Sequence, residues 1–395
     1  MNNTKKVSNI LIVDDNPKNL QILGNHLQTE GFHIEFALNG ITALEWIKNT
    51  EFDLILLDIN MPELDGYETC RAIKSNPLKH NIPIIFLTAN NDAESIVNAF
   101  DLGAVDYITK PFNQQELIAR VRTQIDIKNS KAEIARNLFE IQSKNKQITD
   151  SIKYASIIQT AILKEFQNGA EFFHEHFILN LPKDIVSGDF SWFSKTNDKL
   201  LVGVFDCTGH GVPGAFMSML GITLLNEMVI RDKIVKPNLI MDELRKKIIE
   251  TLGQKGVLLE VADGMDGSII SYDQKQKKVF YSGAFNSLYL VRNNKIVEFK
   301  ADRMPLSHYK VMIDFSFQEI DILPDDIIYM STDGYISQSG GQNHKRFKSV
   351  QFKETLLRFH KYPLQKQQKM LLKTFNSWKQ KCEQVDDITV VGLKF

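Results

Sequence analysis

The sequence predicts a multidomain chain: a doubly wound α/β domain, a helical coiled-coil linker and an α+β sandwich. Three observations carry this. Over residues 9–124 short apolar runs alternate with helix-like segments, from 127 to 162 there is neither proline nor glycine, and beyond about 171 strand-like runs separated by turn residues take over. At 395 residues the chain exceeds one ordinary core. It is 43% hydrophobic and 24% charged, a globular rather than a disordered balance. With 47 basic against 48 acidic residues the net charge is −1, so no global field favours nucleic acid or an anionic membrane.

Three cysteines, Cys70, Cys207 and Cys382, lie far apart without metal-type spacing, which fits a reducing cytoplasm. The first 13 residues hold two lysines and one brief apolar run, so no signal peptide is expected. Residues 207–226 reach the length of a membrane helix but contain three early glycines and Pro213; the expectation is a loop followed by a buried helix, with no membrane partner.

In the α/β part, strands are expected at 10–13, 33–37, 54–57, 82–87 and 104–108, with a helix over Pro17–Gln28 opened by Asn16 as N-cap and Pro17 at N1. Strands apolar throughout indicate a parallel sheet covered on both faces. Asp14 and Asp15 follow the first strand, Asp58 closes the third, Thr88 the fourth and Lys110 the fifth. Open α/β sheets bind ligands outside the carboxyl ends of their strands, so these side chains can converge. Three acids in one crevice need a divalent cation, and Lys110 can neutralise a further charge.

This order, with Asp58-Ile59-Asn60-Met61-Pro62-Glu63-Leu64-Asp65-Gly66 and Asp106-Tyr107-Ile108-Thr109-Lys110-Pro111-Phe112, resembles the receiver domains of bacterial response regulators, which are flavodoxin-like. The resemblance implies that Asp58 is the phosphoacceptor and that Asp15, Asp58 and the Asn60 carbonyl hold Mg2+ with Asp14 close by. It also implies that Thr88 and Lys110 contact the phosphoryl oxygens, and that Tyr107 moves inward when Thr88 moves.

The linker places Ile127, Ile134, Leu138, Ile141, Ile148, Ile152, Ala155 and Ile162 on a heptad seam of about five repeats. Asn145 takes a core position, which favours a paired register, while Lys131 and Gln159 also fall on the seam and weaken it. A parallel homodimer through the linker is expected; the alternative is a single helix packing its stripe on its own domain.

In the last part, strands are expected at 200–205, 268–272, 278–282, 287–292, 327–331 and 388–393, interrupted by helices at 213–230 and 238–252. Four acidic motifs lie beside them: Ser187-Gly188-Asp189-Phe190, Asp206-Cys207-Thr208-Gly209-His210-Gly211, Thr332-Asp333-Gly334 and Asp386-Asp387-Ile388-Thr389. Carboxylates gathered at a shared sheet end repel one another unless hard cations sit between them. Two such cations activate water and clamp a phosphoryl group for in-line attack. Taken alone, Asp333-Gly334 is also a hairpin turn signal, Asp386-Asp387 is a plausible loop, and Asp263 and Asp266 are loop acids that either assist a metal or do nothing.

The four motifs, with Pro182-Lys183-Asp184-Ile185-Val186 ahead of the first and Ala262-Asp263-Gly264-Met265-Asp266-Gly267, resemble the SpoIIE-type branch of the metal-dependent protein phosphatase (protein phosphatase 2C) superfamily over roughly 150–395. That implies Asp206 bridging two Mn2+ or Mg2+ ions beside the Cys207 carbonyl, with Asp333 and Asp386 on one metal, Asp189 on the other, and a metal-held water as nucleophile. It gives His210 no secure role. Residues 340–348, glycine-rich and then basic, read either as a flap over the site or as a solvated loop.

The expected domains are therefore 1–124 receiver, 125–165 linker and 166–395 phosphatase. The functional expectation is a cytoplasmic regulator in which a histidine kinase phosphorylates Asp58. The phosphatase then acts on a phosphoserine or phosphothreonine of a partner protein, which the resemblance implies is of the anti-anti-sigma type. The alternative is a non-catalytic scaffold that grips a phosphoprotein. No basic recognition helix follows residue 124, so no direct nucleic-acid partner is expected.

Overall fold

The structure, a computed structural model, describes residues 7–89, 93–163, 172–196, 199–254, 263–342 and 344–395. The chain divides into two units, Met1–Asn145 and Lys146–Phe395. The expected phosphatase start at 166 and Ala262 of the second acidic stretch lie outside the described residues.

The first unit runs β1 (Asn9–Val13), α1 (Pro17–Gln28), β2 (His33–Ala37), α2 (Gly40–Asn49), β3 (Leu54–Asp58), α3 (Gly66–Ser75), β4 (Ile84–Thr88), α4 (Ala93–Asp101), β5 (Asp106–Thr109) and the part of α5 (Gln114–Leu163) up to Asn145, the rest of that helix belonging to the second unit. All five strands pair in parallel, in the order β2-β1-β3-β4-β5. Successive residues of a strand face opposite sides of the sheet. Accordingly Leu11, Val13, Ile55, Leu57 and Phe86 pack in one core, and Ile10, Ile12, Leu54, Leu56 and Leu87 in the other with Leu117 and Val121 of α5. The strand order reverses beside β1 and β3, which opens a crevice at their carboxyl ends. As expected, Asn16 caps α1, its side chain accepting from the Lys18 amide, with Pro17 at the first turn.

Helix α5 is continuous over 50 residues, so the last helix of the α/β domain and the linker are one element and the expected 124/125 boundary falls inside it. Leu117, Val121 and Ile125 are buried, whereas Ile134, Leu138, Ile141 and Ile148 are exposed.

The second unit runs β6 (Glu175–Leu181), β7 (Phe190–Thr196), β8 (Lys199–Cys207), α6 (Gly211–Asn226) extended by a π turn, α7 (Pro237–Leu252), β9 (Met265–Asp273), β10 (Lys278–Ala284), β11 (Leu288–Arg292), β12 (Lys295–Phe299), β13 (Gln318–Asp321), β14 (Ile327–Ser331), α8 (Gly334–Ser337), β15 (Ser339–Gly340), β16 (Lys345–Arg346), α9 (Lys348–Phe359), α10 (Leu364–Lys379) and β17 (Ile388–Lys394). Two antiparallel five-stranded sheets, β13-β10-β9-β8-β7 and β12-β11-β14-β17-β6, stack face to face. Val202, Val204, Ile270 and Tyr281 of one meet Leu290, Ile328, Met330 and Val391 of the other. Helices α6 and α7 cover the outer face of the first sheet, through Leu225, Ile240 and Leu244, and α9 and α10 that of the second, through Phe352, Leu371 and Phe375. The result is a four-layer sandwich.

Among the described residues one helical stretch, Gly211–Arg231, is long and apolar enough to cross a membrane, and half of its apolar window is buried inside the protein.

Candidate functional site

In the first unit, Asp14 and Asp58 are buried, Asp15 is exposed, and one oxygen from each lies within 4.8 Å of the others. Lys110 Nζ bridges two of them, 2.9 Å from Asp14 Oδ2 and 2.8 Å from Asp58 Oδ2. Asp14 is held further by the Asn16 amide at 2.9 Å and the Asn19 side chain at 3.0 Å. Burial pushes the Asp58 carboxyl upward; bonding to Lys110 opposes this and Asp14 adds to it. Burial also works against charge on Lys110, but its bonds to Asp58 and Asp14 outweigh burial and raise it.

Thr88 is buried at the end of β4, where its carbonyl accepts from the Lys110 amide at 2.8 Å. Tyr107 pairs with Phe86 and is half-buried, its ring edge-on to Phe100 and 5.8 Å from the Arg120 guanidinium. Asn60 starts the loop from β3 to α3 and is exposed. That loop requires glycine at Gly66, since a Cβ there would stand 2.1 Å from the Asp58 carbonyl oxygen.

The second unit gathers its acids at one end of both sheets, not at the end of a single sheet. Asp189 precedes β7 and Asp206 sits in β8, while Asp333 follows β14 and Asp386 precedes β17. Strand β8 continues through Cys207, so Asp206 lies within a strand rather than in the following turn, and it stands opposite Asp266 of β9. Asp333 opens the short helix α8 rather than a hairpin.

The electrostatics fit a cation site. Burial drives the Asp189 carboxyl well up, Thr332 opposing and Asp387, Asp386 and Asp333 adding to it. Asp206 is driven up in the same way, first by burial, then by Asp189, Asp333, Asp386 and Asp266. Among the described residues, the charged groups that act most strongly on both are therefore aspartates. Asp266 is raised to about 7 by burial and by Asp333. Burial keeps the Cys207 thiol protonated, which leaves its carbonyl as the group able to meet a cation. An all-oxygen donor set of this kind suits a hard divalent ion. Among the described residues, only Asp14, Asp15 and Asp58 form a trio of acids within 4.8 Å; the acids of the second unit share a field over a wider space.

Several supporting groups are not marked by the motifs. Thr332 Oγ1 donates to Asp189 Oδ2 at 2.5 Å, and Asp387 accepts from the Lys183 and Gly188 amides, both at 2.7 Å. Gln159 of α5 does not face a coil partner as expected: it is 6% exposed, donates to the Ser187 carbonyl at 2.6 Å and accepts from the Ser187 amide at 3.1 Å. His210 Nδ1 lies 2.7 Å from Asp184 Oδ2, both exposed on the rim. Ser339–Gly340 and Lys345–Arg346 pair as a two-stranded ribbon, and the Gly341 amide beside it donates to the Trp378 carbonyl; Asn343 lies outside the described residues.

Residues 10–122 match the response regulator receiver domain, and residues 196–395 match Stage II sporulation protein E (SpoIIE). The SiaA-PP2C domain of Pseudomonas aeruginosa superposes with a TM-score of 0.59 at 32% identity, covering 64% of this chain and 98% of that one. A probable cyclic di-GMP phosphodiesterase of Vibrio cholerae is 44% identical over 122 residues, 31% of this chain and 27% of that protein. The regulatory protein VanRc of Enterococcus gallinarum is 35% identical over 116 residues, 29% of this chain and 49% of that protein. The chain thus spans less than half the length of these two relatives.

Proposed function

The chain belongs to the Stage II sporulation protein E (SpoIIE) family and carries a response regulator receiver domain ahead of its phosphatase domain. From that premise we propose that phosphorylation of Asp58 controls metal-dependent removal of phosphate from a serine or threonine of a partner protein. The observation that carries this is the mutual field of buried Asp189 and Asp206, each of which is pushed up most strongly, after burial, by further aspartates among the described residues. Such a cluster is stable in its ionised form only with cations bound.

In the receiver, an Asp58 carboxylate oxygen attacks the phosphorus of a histidine kinase's phosphohistidine; the new O–P bond makes an aspartyl phosphate as the P–N bond breaks and its electron pair returns to the imidazole nitrogen. Lys110 would pair with the new phosphoryl oxygens, which its 2.8 Å approach to Asp58 supports, and the Thr88 hydroxyl would bond one of them. Asp14, Asp15, Asp58 and the Asn60 carbonyl would hold Mg2+, which supplies charge neutralisation during transfer.

In the phosphatase domain, Asp206, Asp333, Asp386, Asp189 and the Cys207 carbonyl would hold two Mn2+ or Mg2+ ions, and Asp266 stands beside them. Bound there, the ions lower the pKa of water and stabilise charge on the phosphoryl group. The protein's own residues fix these carboxylates: Thr332 orients Asp189, and the β8–β9 register sets Asp206 against Asp266. Lys345, Arg346 and Lys348 are exposed on and beside the ribbon after α8, suited to an acidic phosphoprotein of the anti-anti-sigma type. The bonds of Gln159 to Ser187 tie the linker helix to the loop that carries Asp189, which supports control from the receiver through α5.

The test is phosphate release from a model phosphoester with Mn2+, native protein against Asp206→Asn. Loss of turnover in the variant is expected. Turnover unchanged by the substitution, or a native protein that grips a phosphoprotein with Mn2+ and never releases phosphate, removes the catalytic reading in favour of the scaffold.

A further inference from the structure

We infer that Asp387 is a positioning residue, whose carboxylate grips the backbone of the 183–188 segment and thereby sets where Asp189 stands relative to Asp386. The inference rests on the two-metal reading of the site and extends it to a residue that none of the metal roles includes.

The two carboxylates of the Asp386-Asp387 pair differ in what they touch. Asp386 is partly exposed, and its Oδ1 accepts from the Asp387 amide at 2.9 Å. Asp387 is 2% exposed, and each of its oxygens is engaged: Oδ1 by the Lys183 amide and Oδ2 by the Gly188 amide, both at 2.7 Å. These donors lie 204 and 199 residues away in the chain. A buried carboxylate with a backbone N–H on each oxygen forms charge-assisted bonds, about twice as strong as neutral ones. Its task is therefore to hold the loop, and it leaves cation binding to Asp386.

The loop needs that grip. It enters from β6 and reaches Asp189 through a glycine that packs backbone to backbone against the turn after Asp206. A Cβ on Gly188 would stand 2.7 Å from the Gly209 carbonyl oxygen, and one on Gly214 would stand 2.9 Å from Gly188 Cα. Asp387 Oδ2 bonds the amide of that same Gly188, immediately before Asp189. A shift of the Asp387 carboxylate thus moves Asp189 against both Asp386 and the Asp206 turn. Misplacing one acid by a fraction of an ångström weakens a shared cation without unfolding the sandwich.

Asp387→Asn separates this role from bulk. The amide keeps the shape but offers one acceptor, and its NH2 faces an N–H donor. In the full chain we expect cooperative unfolding to persist, amide exchange of the 183–188 segment to quicken, and Mn2+ affinity by calorimetry to fall about 10- to 100-fold. Turnover of a model phosphoester should recover at saturating Mn2+. Native Mn2+ affinity with native exchange overturns the inference, as does turnover that stays lost at saturating Mn2+ while affinity is unchanged. Should the variant not fold, the Gly188 amide of the native protein decides: strong protection is expected, and exchange at the rate of a free loop overturns the role. A native protein that binds no Mn2+ sinks the two-metal reading instead, and the exchange measurement still reads the grip of Asp387.

Discussion

The hydroxyl of Thr332 donates to Asp189 Oδ2 at 2.5 Å across 143 residues of sequence, and Thr332 Oγ1 itself accepts from the Thr389 amide at 2.9 Å. One side chain thereby joins the acid before β7 to the strand that follows Asp386 and Asp387, and its own neighbour is Asp333. A hydroxyl has a single proton to give. By giving it to Asp189, Thr332 fixes which carboxylate oxygen stays turned toward the other acids.

Removing that proton should therefore cost the metal site more than its bulk suggests. Thr332→Val keeps the volume but leaves the buried Thr389 amide without an acceptor, a loss of about 1–3 kcal/mol seen as a lower Tm. Mn2+ affinity should fall about 10- to 100-fold, as for other groups that orient metal-binding side chains. Thr332→Ser keeps the hydroxyl and should stay near native in both measurements. If valine and serine variants bind Mn2+ alike, Thr332 does not orient Asp189.

The acid cluster also predicts how the metal-free fold responds to pH. Asp266 rises from 3.8 to about 7 on folding, and Asp189 and Asp206 are driven up in the same direction. The folded protein then holds protons that the unfolded chain has released, so Asp266 lowers stability as pH rises from 3.8 through about 7, and Asp189 and Asp206 act in the same direction. The Tm of metal-free protein should fall over that window, and less steeply in Asp266→Asn. Mn2+ added at the upper end should restore it, because cations bind the ionised form. Equal slopes in native and Asp266→Asn protein would falsify the assignment of Asp266 to the cluster.

How much of this is legible in the sequence follows from how local each signal is. In a parallel sheet all strand ends lie at one edge, so Asp14, Asp58, Thr88 and Lys110 are readable together from strand positions alone. The acids of the sandwich are readable as motifs, but not their meeting place: Asp189 and Asp206 belong to one sheet, Asp333 and Asp386 to the other. Strand β12 escapes notice because Lys295–Phe299 lies largely exposed on an edge and lacks a buried alternation. Helices α9 and α10 escape it too, though their buried Phe352, Leu356, Leu371 and Phe375 fall at helical spacing. Gln159 reads as a polar flaw in a heptad and Asp387 as a loop acid, because each acts on backbone amides or carbonyls 28 and about 200 residues away. No periodicity carries such partners.

In the receiver, Lys110 neutralises two buried acids at once. Asp58→Asn should take up no phosphoryl group from phosphoramidate with Mg2+. Lys110→Ala should take it up about 100-fold more slowly, the loss expected when one charge-stabilising donor is removed from a transferring group. The measure is phosphoprotein formed against time by mass spectrometry. A Lys110→Ala protein phosphorylated at the native rate would show that the cation alone handles the charge.

The linker carries the last prediction. Ile134, Leu138, Ile141 and Ile148 are 59%, 54%, 54% and 58% exposed along α5, at spacings of four, three and seven, the a/d pattern of a two-stranded coil. Asn145 stands between Ile141 and Ile148 at the remaining core position, where an amide favours one register at some cost in stability. Gln159 is committed to Ser187 and cannot serve the seam, so pairing has to be carried by residues before it. Introducing charge within this stretch, as Leu138→Glu with Ile141→Glu, should convert a dimer into a monomer by sedimentation while leaving receiver phosphorylation unchanged. Asn145→Leu should tighten the dimer. A native protein that sediments as a monomer across concentration, or a double variant that sediments as the native does, ends the coiled-coil reading of α5.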